Sequence, residues 1–408
     1  MRLGQGPRTK NQEPRTADVQ LKTQNSKLKT LCLLLLLTLA GCAGGAGQAE
    51  PQARLSAVQA AGGGGQGFAR VDRPREFVFP RDHGPHPQYA TEWWYYTGNL
   101  DSTDGRHFGY QLTFFRYGLA PEEPRRASAW GATSLYMAHL ALTDVAAGKF
   151  YAFERFSRGA AGLAGATGEP AFRVWLDDWS ASGAGPEGLP MRLSAAEGEV
   201  AIDLTLDSRR AVVLQGPGGV SQKSATPGNA SYYYSFTRME TSGTITIGGQ
   251  ATAVQGQSWL DREFGTSALE PGALGWDWFA VQLADGGELM YAQVRGEGGR
   301  PLFWLGKLIQ PDGTARQLEG EEVQLETLGS WTSQRSGATY PSGWRLRVPG
   351  QQIDLRLTPY LEDQELTLAV VYWEGAVRVE GTVAGQPVRG NAYVELTGYD
   401  EQGGLSVR

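Results

Sequence analysis

WLDREFG at residues 259–265 is followed closely by GWDWFAVQL at residues 275–283, and the two segments together carry three tryptophans and three carboxylates. Acidic residues are uncommon in strands and in apolar surroundings. Acids interleaved with large aromatic residues are therefore paired with cations, placed at a rim, or held there for chemistry. This stretch is the starting point for both the architecture and the function of the chain.

The stretch belongs to an internal repeat. A valine, a glycine, an aromatic residue and an acid keep the same spacing in both halves, where Val254, Gly256, Trp259 and Asp261 recur as Val388, Gly390, Tyr393 and Glu395. Upstream of them, GTITIG at 243–248 matches GAVRVE at 375–380, and WWYY at 93–96 matches WDWF at 276–279. A period this long and uneven is typical of duplicated domains and not of a solenoid.

Short alternating runs separated by turn signals fill both halves. The clearest is a hairpin in which residues 92–100 and 107–116 flank Asp104-Gly105. The chain has 56 glycines and 21 prolines and no long amphipathic helix pattern, so it is predicted to be all-β. We predict a first domain over residues 77–266 and a second over residues 267–408.

Charge and cysteine content exclude several classes of protein. Residues 1–41 hold seven Lys/Arg against two Asp/Glu, which leaves the rest of the 408-residue chain at −11 although the whole chain is at −6. An acidic body disfavours nucleic acid as a partner.

The two cysteines, Cys32 and Cys42, both lie in the N-terminal region. No internal disulfide and no thiolate metal site is therefore predicted, and stability must come from the core.

The N-terminus has the pattern of an export signal. Lysines precede an apolar run at residues 31–39 that is too short to span a bilayer, and LAGC at residues 39–42 resembles the bacterial lipobox. This predicts a lipoprotein signal peptide at residues 1–41 and a lipid anchor on Cys42. An ordinary signal peptide cut at nearby small residues is the alternative. Residues 42–76 would then be a flexible linker, and the protein would lie in the bacterial cell envelope, on the outer membrane facing the periplasm.

The four histidines lie in the first half. His83 and His86 accompany Asp82, but the intervening glycine and proline predict a loop and not a rigid ligand face, so no metal site is predicted. His139 lies in a run with period two between apolar neighbours. It either points into a barrel or is a hydrogen-bonded core histidine.

Three motifs identify a family resemblance. TEWWYYTG at residues 91–98, WLDREFG at 259–265 and GWDW at 275–278 make the sequence resemble the AttH-like family, whose relatives include carotenoid 1,2-hydratase. The resemblance runs from about residue 77 to the end. It implies two lipocalin-like β-barrel domains in tandem, with an apolar ligand cavity at or between the barrels.

The same resemblance bears on catalysis. Where the carotenoid hydratases carry a histidine and a tryptophan implicated in catalysis, this chain has Arg262 and Phe264. Tyr291 matches their tyrosine, and Gln293 stands in place of their proton-donating aspartate. The usual acid would then be missing, and Asp261, Glu263 or Asp277 would have to replace it.

Two functional hypotheses follow, and neither requires a cofactor. In the first, the protein is a carrier that binds an apolar lipid-like or terpenoid molecule in a cavity lined by Trp93, Trp94, Trp259, Trp276 and Trp278. In the second, a carboxylic acid with a raised pKa makes it a hydrolase, a hydratase or a carotenoid hydratase-type lyase, with Asp261, Glu263 or Asp277 as acid and His139 or Tyr291 as partner. A purely structural role remains open, in which the tryptophans pack the core and Arg262 pairs with Asp261 or Glu263.

Overall fold

The computed structural model describes residues 65–121, 128–267 and 269–400. The predicted signal peptide, Cys42 and the linker up to residue 64 lie outside the described residues. Within them the strands fall into two large sheets and one small one.

The first sheet contains thirteen strands, β1 to β13. Their bounds are Thr91–Ser102, His107–Gly118, Ser134–Asp144, Lys149–Arg158, Ala164–Thr167, Arg173–Leu176, Trp179–Gly183, Met191–Glu197, Val200–Asp207, Val213–Leu214, Val220–Gln222, Ala230–Ile247 and Gln250–Gly265. All pairings are antiparallel, in the order β4-β3-β2-β1-β13-β12-β9-β8-β7-β6-β5, with β10 and β11 also pairing with β12. This sheet curls into a nearly closed barrel.

The second half contains twelve strands, β14 to β25. Their bounds are Gly275–Leu283, Glu288–Arg295, Pro301–Ile309, Ala315–Leu318, Gln324–Thr327, Ser330–Thr332, Thr339–Pro341, Trp344–Val348, Ile353–Pro359, Glu365–Thr367, Val371–Val383 and Gln386–Thr397. Ten of them form a half-barrel in the order β17-β16-β15-β14-β25-β24-β22-β21-β18, with β23 on β24, while β19 and β20 pair separately. The predicted all-β pair of tandem barrels is confirmed.

Helical structure among the described residues is confined to short 3-10 turns. Their bounds are Arg81–His83, Pro217–Gly219, Glu297–Gly299, Gly320–Glu322 and Pro349–Gln351. No helix in this part of the chain is long and apolar enough to cross a bilayer.

Alternation along the strands sorts the side chains into two environments. On β1, Trp94 and Tyr96 are 1% and 0% exposed and point into the first barrel, where they join a core that fills the interior. Trp93 and Tyr95 point outward, toward the second barrel. The second barrel has its own filled core around Phe279 and other apolar residues. Because each interior is packed with side chains, any ligand must be held elsewhere.

Close packing of glycine confirms the repeat and corrects one part of its alignment. A Cβ at Gly256 would lie 2.9 Å from Leu100 Cα, and one at Gly390 would lie 2.9 Å from Leu283 Cα, so the two glycines have equivalent surroundings. The match of residues 243–248 to 375–380 is wrong. Val254 pairs with Gly243 whereas Val388 pairs with Gly381, so the equivalent of Gly243 lies six residues further along β24.

A buried ion-pair cluster occupies one end of the first barrel. Arg262 is 0% exposed and donates to Glu92, which also accepts a hydrogen bond of 2.8 Å from Arg116 Nη1. The guanidinium of Arg262 lies 4.0 Å from the ring centre of Trp94. The proposed pairing of Arg262 with a neighbouring acid of its own strand is therefore wrong, because adjacent residues of a strand point to opposite faces.

Candidate functional site

A cavity lies between the outer faces of the two barrels. Its volume is about 200 Å³, and it receives side chains from both sheets. Much of its wall is apolar or aromatic, including Trp93, Phe115, Met137, Trp276 and Leu305. This is a third packed region, separate from the two barrel cores, and carboxyl groups are the main chemically reactive groups in its wall.

Two glutamates face each other across the floor of this cavity. Glu374 on β24 and Glu395 on β25 are directly opposed in the antiparallel register, so their side chains share one face. Tyr95 of the first barrel donates a hydrogen bond to Glu374 Oε1, and Trp276 Nε1 donates one of 3.0 Å to Glu395 Oε1. Among the described residues, none forms a hydrogen bond with Glu374 Oε2, which is buried.

This pairing favours the neutral acid form. Burial raises the pKa of Glu374 well above its ordinary value, and the nearby charge of Glu395 raises it further. Burial raises the pKa of Glu395 to about 8; the hydrogen bond from Trp276 opposes this shift, and the nearby charges of Asp261 and Glu263 add to it. Two carboxyl groups on directly opposed, buried residues cannot both ionise easily. At neutral pH the pair therefore retains a proton.

Asp261 contributes a third acid from the first barrel. Its carboxyl accepts hydrogen bonds from the Tyr233 hydroxyl, from Ser235 Oγ at 2.5 Å and from Trp259 Nε1 at 2.7 Å. Burial raises the pKa of Asp261 to about 7, although these three hydrogen bonds oppose the shift. At neutral pH this carboxyl can both give and accept a proton.

Glu263 also lines the cavity but is part of an ion pair. Lys223 Nζ lies 2.6 Å from Glu263 Oε1, and the Ser231 hydroxyl donates to the same oxygen at 2.5 Å. Lys223 and its neighbour Gln222 belong to the cavity wall as well. The pair places opposite charges beside the apolar part of the wall.

His139 lies on the outer face of the first barrel and reaches the second one. Its Nδ1 shares a hydrogen bond of 2.7 Å with the Tyr372 hydroxyl, and its Nε2 lies 3.2 Å from Glu154 Oε2. The Glu154 side chain is 17% exposed, whereas His139 is 1% exposed. Tyr372 stands two residues from Glu374 on the same face of β24, and both residues line the cavity. A polar chain therefore leads from the solvent side to the acid pair.

Three of the residues predicted for the site lie elsewhere. Trp94 belongs to the first barrel core. Asp277 points away from the cavity, with Arg295 Nε donating to it at 2.8 Å, and Tyr291 belongs to the second barrel core. Burial, with the nearby charge of Asp277, raises the Tyr291 pKa to about 12.

The other predicted residues come together at the cavity. Trp93, Trp276, Trp278, Asp261, Glu263 and His139 all line it. Trp259 packs behind them, with its ring 6.2 Å from that of Trp278 at a nearly perpendicular angle. The indole of Trp278 donates at 3.3 Å to the Tyr233 hydroxyl, so contacts cross between the barrels in both directions.

Sequence reasoning missed the acid pair. In the repeat Glu395 is the equivalent of Asp261, and this equivalence is the signal in the sequence, because both acids line the cavity between the barrels. Glu374 ends an apolar strand run, and a lone acid in such a run is a recognisable sign of function.

The polar groups present suit acid chemistry more directly than metal binding. Within the described ranges, no group of three or more histidine, cysteine or acidic residues is arranged to hold a metal ion. His86 stacks on Phe264 at 3.5 Å, and its Nε2 lies 3.2 Å from Asp82 Oδ1. His83 shares a hydrogen bond of 2.8 Å with Tyr234. His86 also contacts Arg262 and Glu92, so it belongs to the buried ion-pair cluster of the first barrel.

Comparison with solved structures finds several similar proteins. A provisionally assigned AttH from Nitrosomonas europaea is 34% identical, with a TM-score of 0.73, over 82% of this chain and 100% of that one. Kievitone hydratase from Nectria haematococca is 16% identical, with a TM-score of 0.62, over 82% of this chain and 98% of that one. CghA, solved with Sch210972, is 14% identical, with a TM-score of 0.51, over 83% and 97%. The last two similarities show the fold alone.

No curated protein matches the chain. A family model for AttH-like proteins matches residues 70–399, which include both barrels and every residue of the cavity wall. The family model and the similarity to the Nitrosomonas europaea structure both identify the same family. The chain therefore belongs to the AttH-like family.

Proposed function

We propose that this protein is an enzyme that binds a small apolar molecule between its barrels and transfers a proton to it from the Glu374–Glu395 pair. The single observation that supports the proposal most strongly is this directly opposed pair of carboxyl groups in an otherwise largely apolar wall. An acid kept neutral near pH 7 by burial and by a second carboxyl is suited to general acid catalysis.

The reaction class that fits this arrangement is hydration of a carbon–carbon double bond, or its reverse. Glu395 would donate its proton to one alkene carbon, which leaves a carbocation on the other carbon. Water would then form the new C–O bond, and its surplus proton would pass to the Asp261 carboxylate or return to the Glu395 carboxylate. The sum is one alkene and one water giving one alcohol, so no oxidant or cofactor is consumed.

The wall of the cavity supports such an intermediate. Aromatic faces attract a cation, and Trp93 and Trp276 lie among the lining residues. The volume of about 200 Å³ lies below the roughly 300–1,000 Å³ that is usual for pockets of drug-sized ligands. A compact terpenoid or aromatic molecule therefore suits the cavity better than a long carotenoid. The name of kievitone hydratase agrees with this chemistry, although its similarity shows only the fold.

A polar chain could restore the proton after each cycle. The chain begins at the partly exposed Glu154, which contacts His139. His139 in turn contacts Tyr372, which lies near Glu374. An imidazole has two ring nitrogens, and in His139 one lies beside Tyr372 and the other beside Glu154. We assign these residues to proton supply, while Tyr95 holds Glu374 in place through its hydrogen bond.

The location of the enzyme is part of the proposal. The sequence pattern around Cys42 supports a lipid anchor at that residue and a place in the cell envelope, on the outer membrane facing the periplasm. Incorporation of labelled palmitate in the producing bacterium, and its loss in Cys42→Ala, would test the anchor. Membrane fractionation would test the choice of membrane.

The function is tested by extracting the purified protein with organic solvent and examining the extract by mass spectrometry. Any bound alkene or alcohol is then incubated with the protein in H₂¹⁸O. Conversion with ¹⁸O in the product, lost in Glu395→Gln and kept in Asp277→Asn, is the expected result. A molecule that is bound and always recovered unchanged would make the protein a carrier and contradict the enzymatic proposal.

A further inference from the structure

Four large apolar side chains are exposed on or near the strands of the first barrel that line the cavity. They are Leu119, Trp130, Leu135 and Phe156, which are 56%, 62%, 44% and 52% exposed. We call these four residues the rim patch. Single exposed apolar residues are ordinary on a protein surface, but a group of large ones beside a binding cavity indicates an interaction site.

Strand register joins the rim patch to the cavity wall. Leu135 pairs directly with Tyr117, and Phe156 pairs directly with Met137. Side chains of paired residues share one face of a sheet, and both Tyr117 and Met137 line the cavity. The apolar wall therefore continues outward over β2, β3 and β4 and ends at solvent.

The N-terminal end of the described chain arrives at the same place. Arg70 Nη1 donates at 2.7 Å to the carbonyl of Thr266, whose neighbour Ser267 lines the cavity. A Cβ added at Gly118 would lie 2.7 Å from the ring of Phe68, directly before Leu119. The polypeptide that carries Cys42 thus joins the body beside the rim patch.

We propose that the rim patch docks on the surface of the lipid bilayer. The mouth of the cavity then opens against the membrane, and the apolar substrate passes between membrane and cavity without entering water. The sequence predicts a flexible linker after Cys42, and a flexible chain as long as residues 43–64 would span on the order of 25 Å. A lipid anchor at Cys42 would then hold the mouth close to the membrane. Exposed tryptophan, phenylalanine and leucine are the side chains that enter the interfacial region of a bilayer.

The inference rests on the proposed function in two respects, the apolar nature of the substrate and the lipid anchor at Cys42. A bilayer is favoured over a protein partner because the patch is continuous with a cavity whose ligand dissolves in lipid, and because the attachment point of the chain lies beside it. A second copy of the chain is the competing occupant, and the experiment separates the two.

The test uses protein beginning at Gly65, so that neither anchor nor leader contributes. Protein that begins at Gly65 keeps all of residues 70–399, the range that the AttH-like family model matches. Flotation with vesicles of phosphatidylethanolamine and phosphatidylglycerol at 3:1 measures the partition coefficient. The double variant Leu135→Ser/Phe156→Ser changes no charge and should lower that coefficient about tenfold.

The matched control is Leu328→Ser, which replaces a leucine of 38% exposure on the second barrel that lines no part of the cavity. It should leave the partition coefficient unchanged. Absence of vesicle binding by the unaltered protein, or equal loss in the control, would overturn the proposal. So would a dimer in analytical ultracentrifugation that the double variant dissociates, since the patch would then belong to a second copy. Because no substrate is present, these outcomes are independent of whether the protein is an enzyme.

Discussion

Replacing Glu395 by glutamine should make the protein more stable in mildly alkaline solution. Glutamine has nearly the same shape and keeps an oxygen that can accept the hydrogen bond from Trp276. Because glutamine has no acidic proton, the substitution removes the ionisable group. Because glutamine has nearly the same shape, it does so without opening a cavity. The expected gain reflects a site in which stability has been given up for function.

The size of the effect follows from proton linkage. Glu395 has an ordinary pKa of 4.5, and in the folded protein its pKa is about 8. Between these values the folded state binds one more proton than the unfolded state, so the free energy of unfolding falls as pH rises, by about 1.4 kcal/mol per pH unit. The stabilising contribution is full below pH 4.5 and is lost by about pH 8. The variant escapes this loss and should exceed the natural protein by on the order of 4 kcal/mol at pH 8.

The assay is urea unfolding followed by circular dichroism at pH 5, 6, 7 and 8. The two proteins should be nearly equal at pH 5 and diverge steadily above it. Glu240→Gln, on an exposed position of β12, serves as the control and should show no such divergence. A constant difference between Glu395→Gln and the natural protein from pH 5 to pH 8 would mean that Glu395 is ionised in the folded state, and the proposed acid would be refuted.

Three further substitutions separate the roles of the buried polar residues. Tyr372→Phe breaks the hydrogen bond with His139 and should lower kcat about tenfold with little change in KM, whereas a matching rise in KM would make Tyr372 a binding residue. Asp277→Asn should lower the free energy of unfolding by about 3 kcal/mol, since Arg295 loses its buried counter-charge, and turnover per folded molecule should stay constant. Glu92→Leu leaves two buried guanidinium groups without their carboxylate and should lower the free energy of unfolding by about 3–5 kcal/mol, measured by urea unfolding.

Much of the fold could be predicted because the local signals agree with one another. The Asp104-Gly105 turn between two alternating runs gives the β1–β2 hairpin, and the repeated spacing of valine, glycine, aromatic and acid residues gives the duplication. The match of residues 243–248 failed because two alternating strands with glycine resemble each other in several registers. Only the hydrogen-bonded partners Val254 and Val388 fix which glycines correspond.

The site was harder to predict because a period of two does not say which face is the interior. Asp261 and Asp277 have the same kind of aromatic neighbours in sequence, yet Asp261 faces the cavity and Asp277 faces away from it. The contact of Tyr95 with Glu374 joins residues that are 279 positions apart, and no local pattern announces it. The local sequence could therefore identify acidic residues as candidates for the site. Which of them face the cavity depends on how the two barrels pack.

The solid interiors of the barrels have a consequence for adaptation. Residues such as Trp93 and Met137 shape the cavity but belong to neither barrel core. A change in the size of these residues alters the shape of the ligand that fits. The two barrels that carry Asp261 and Glu395 keep their own packed cores. Specificity can thus drift by ordinary point substitution while the acid groups keep their places, which is how one architecture could serve many small molecules in different organisms.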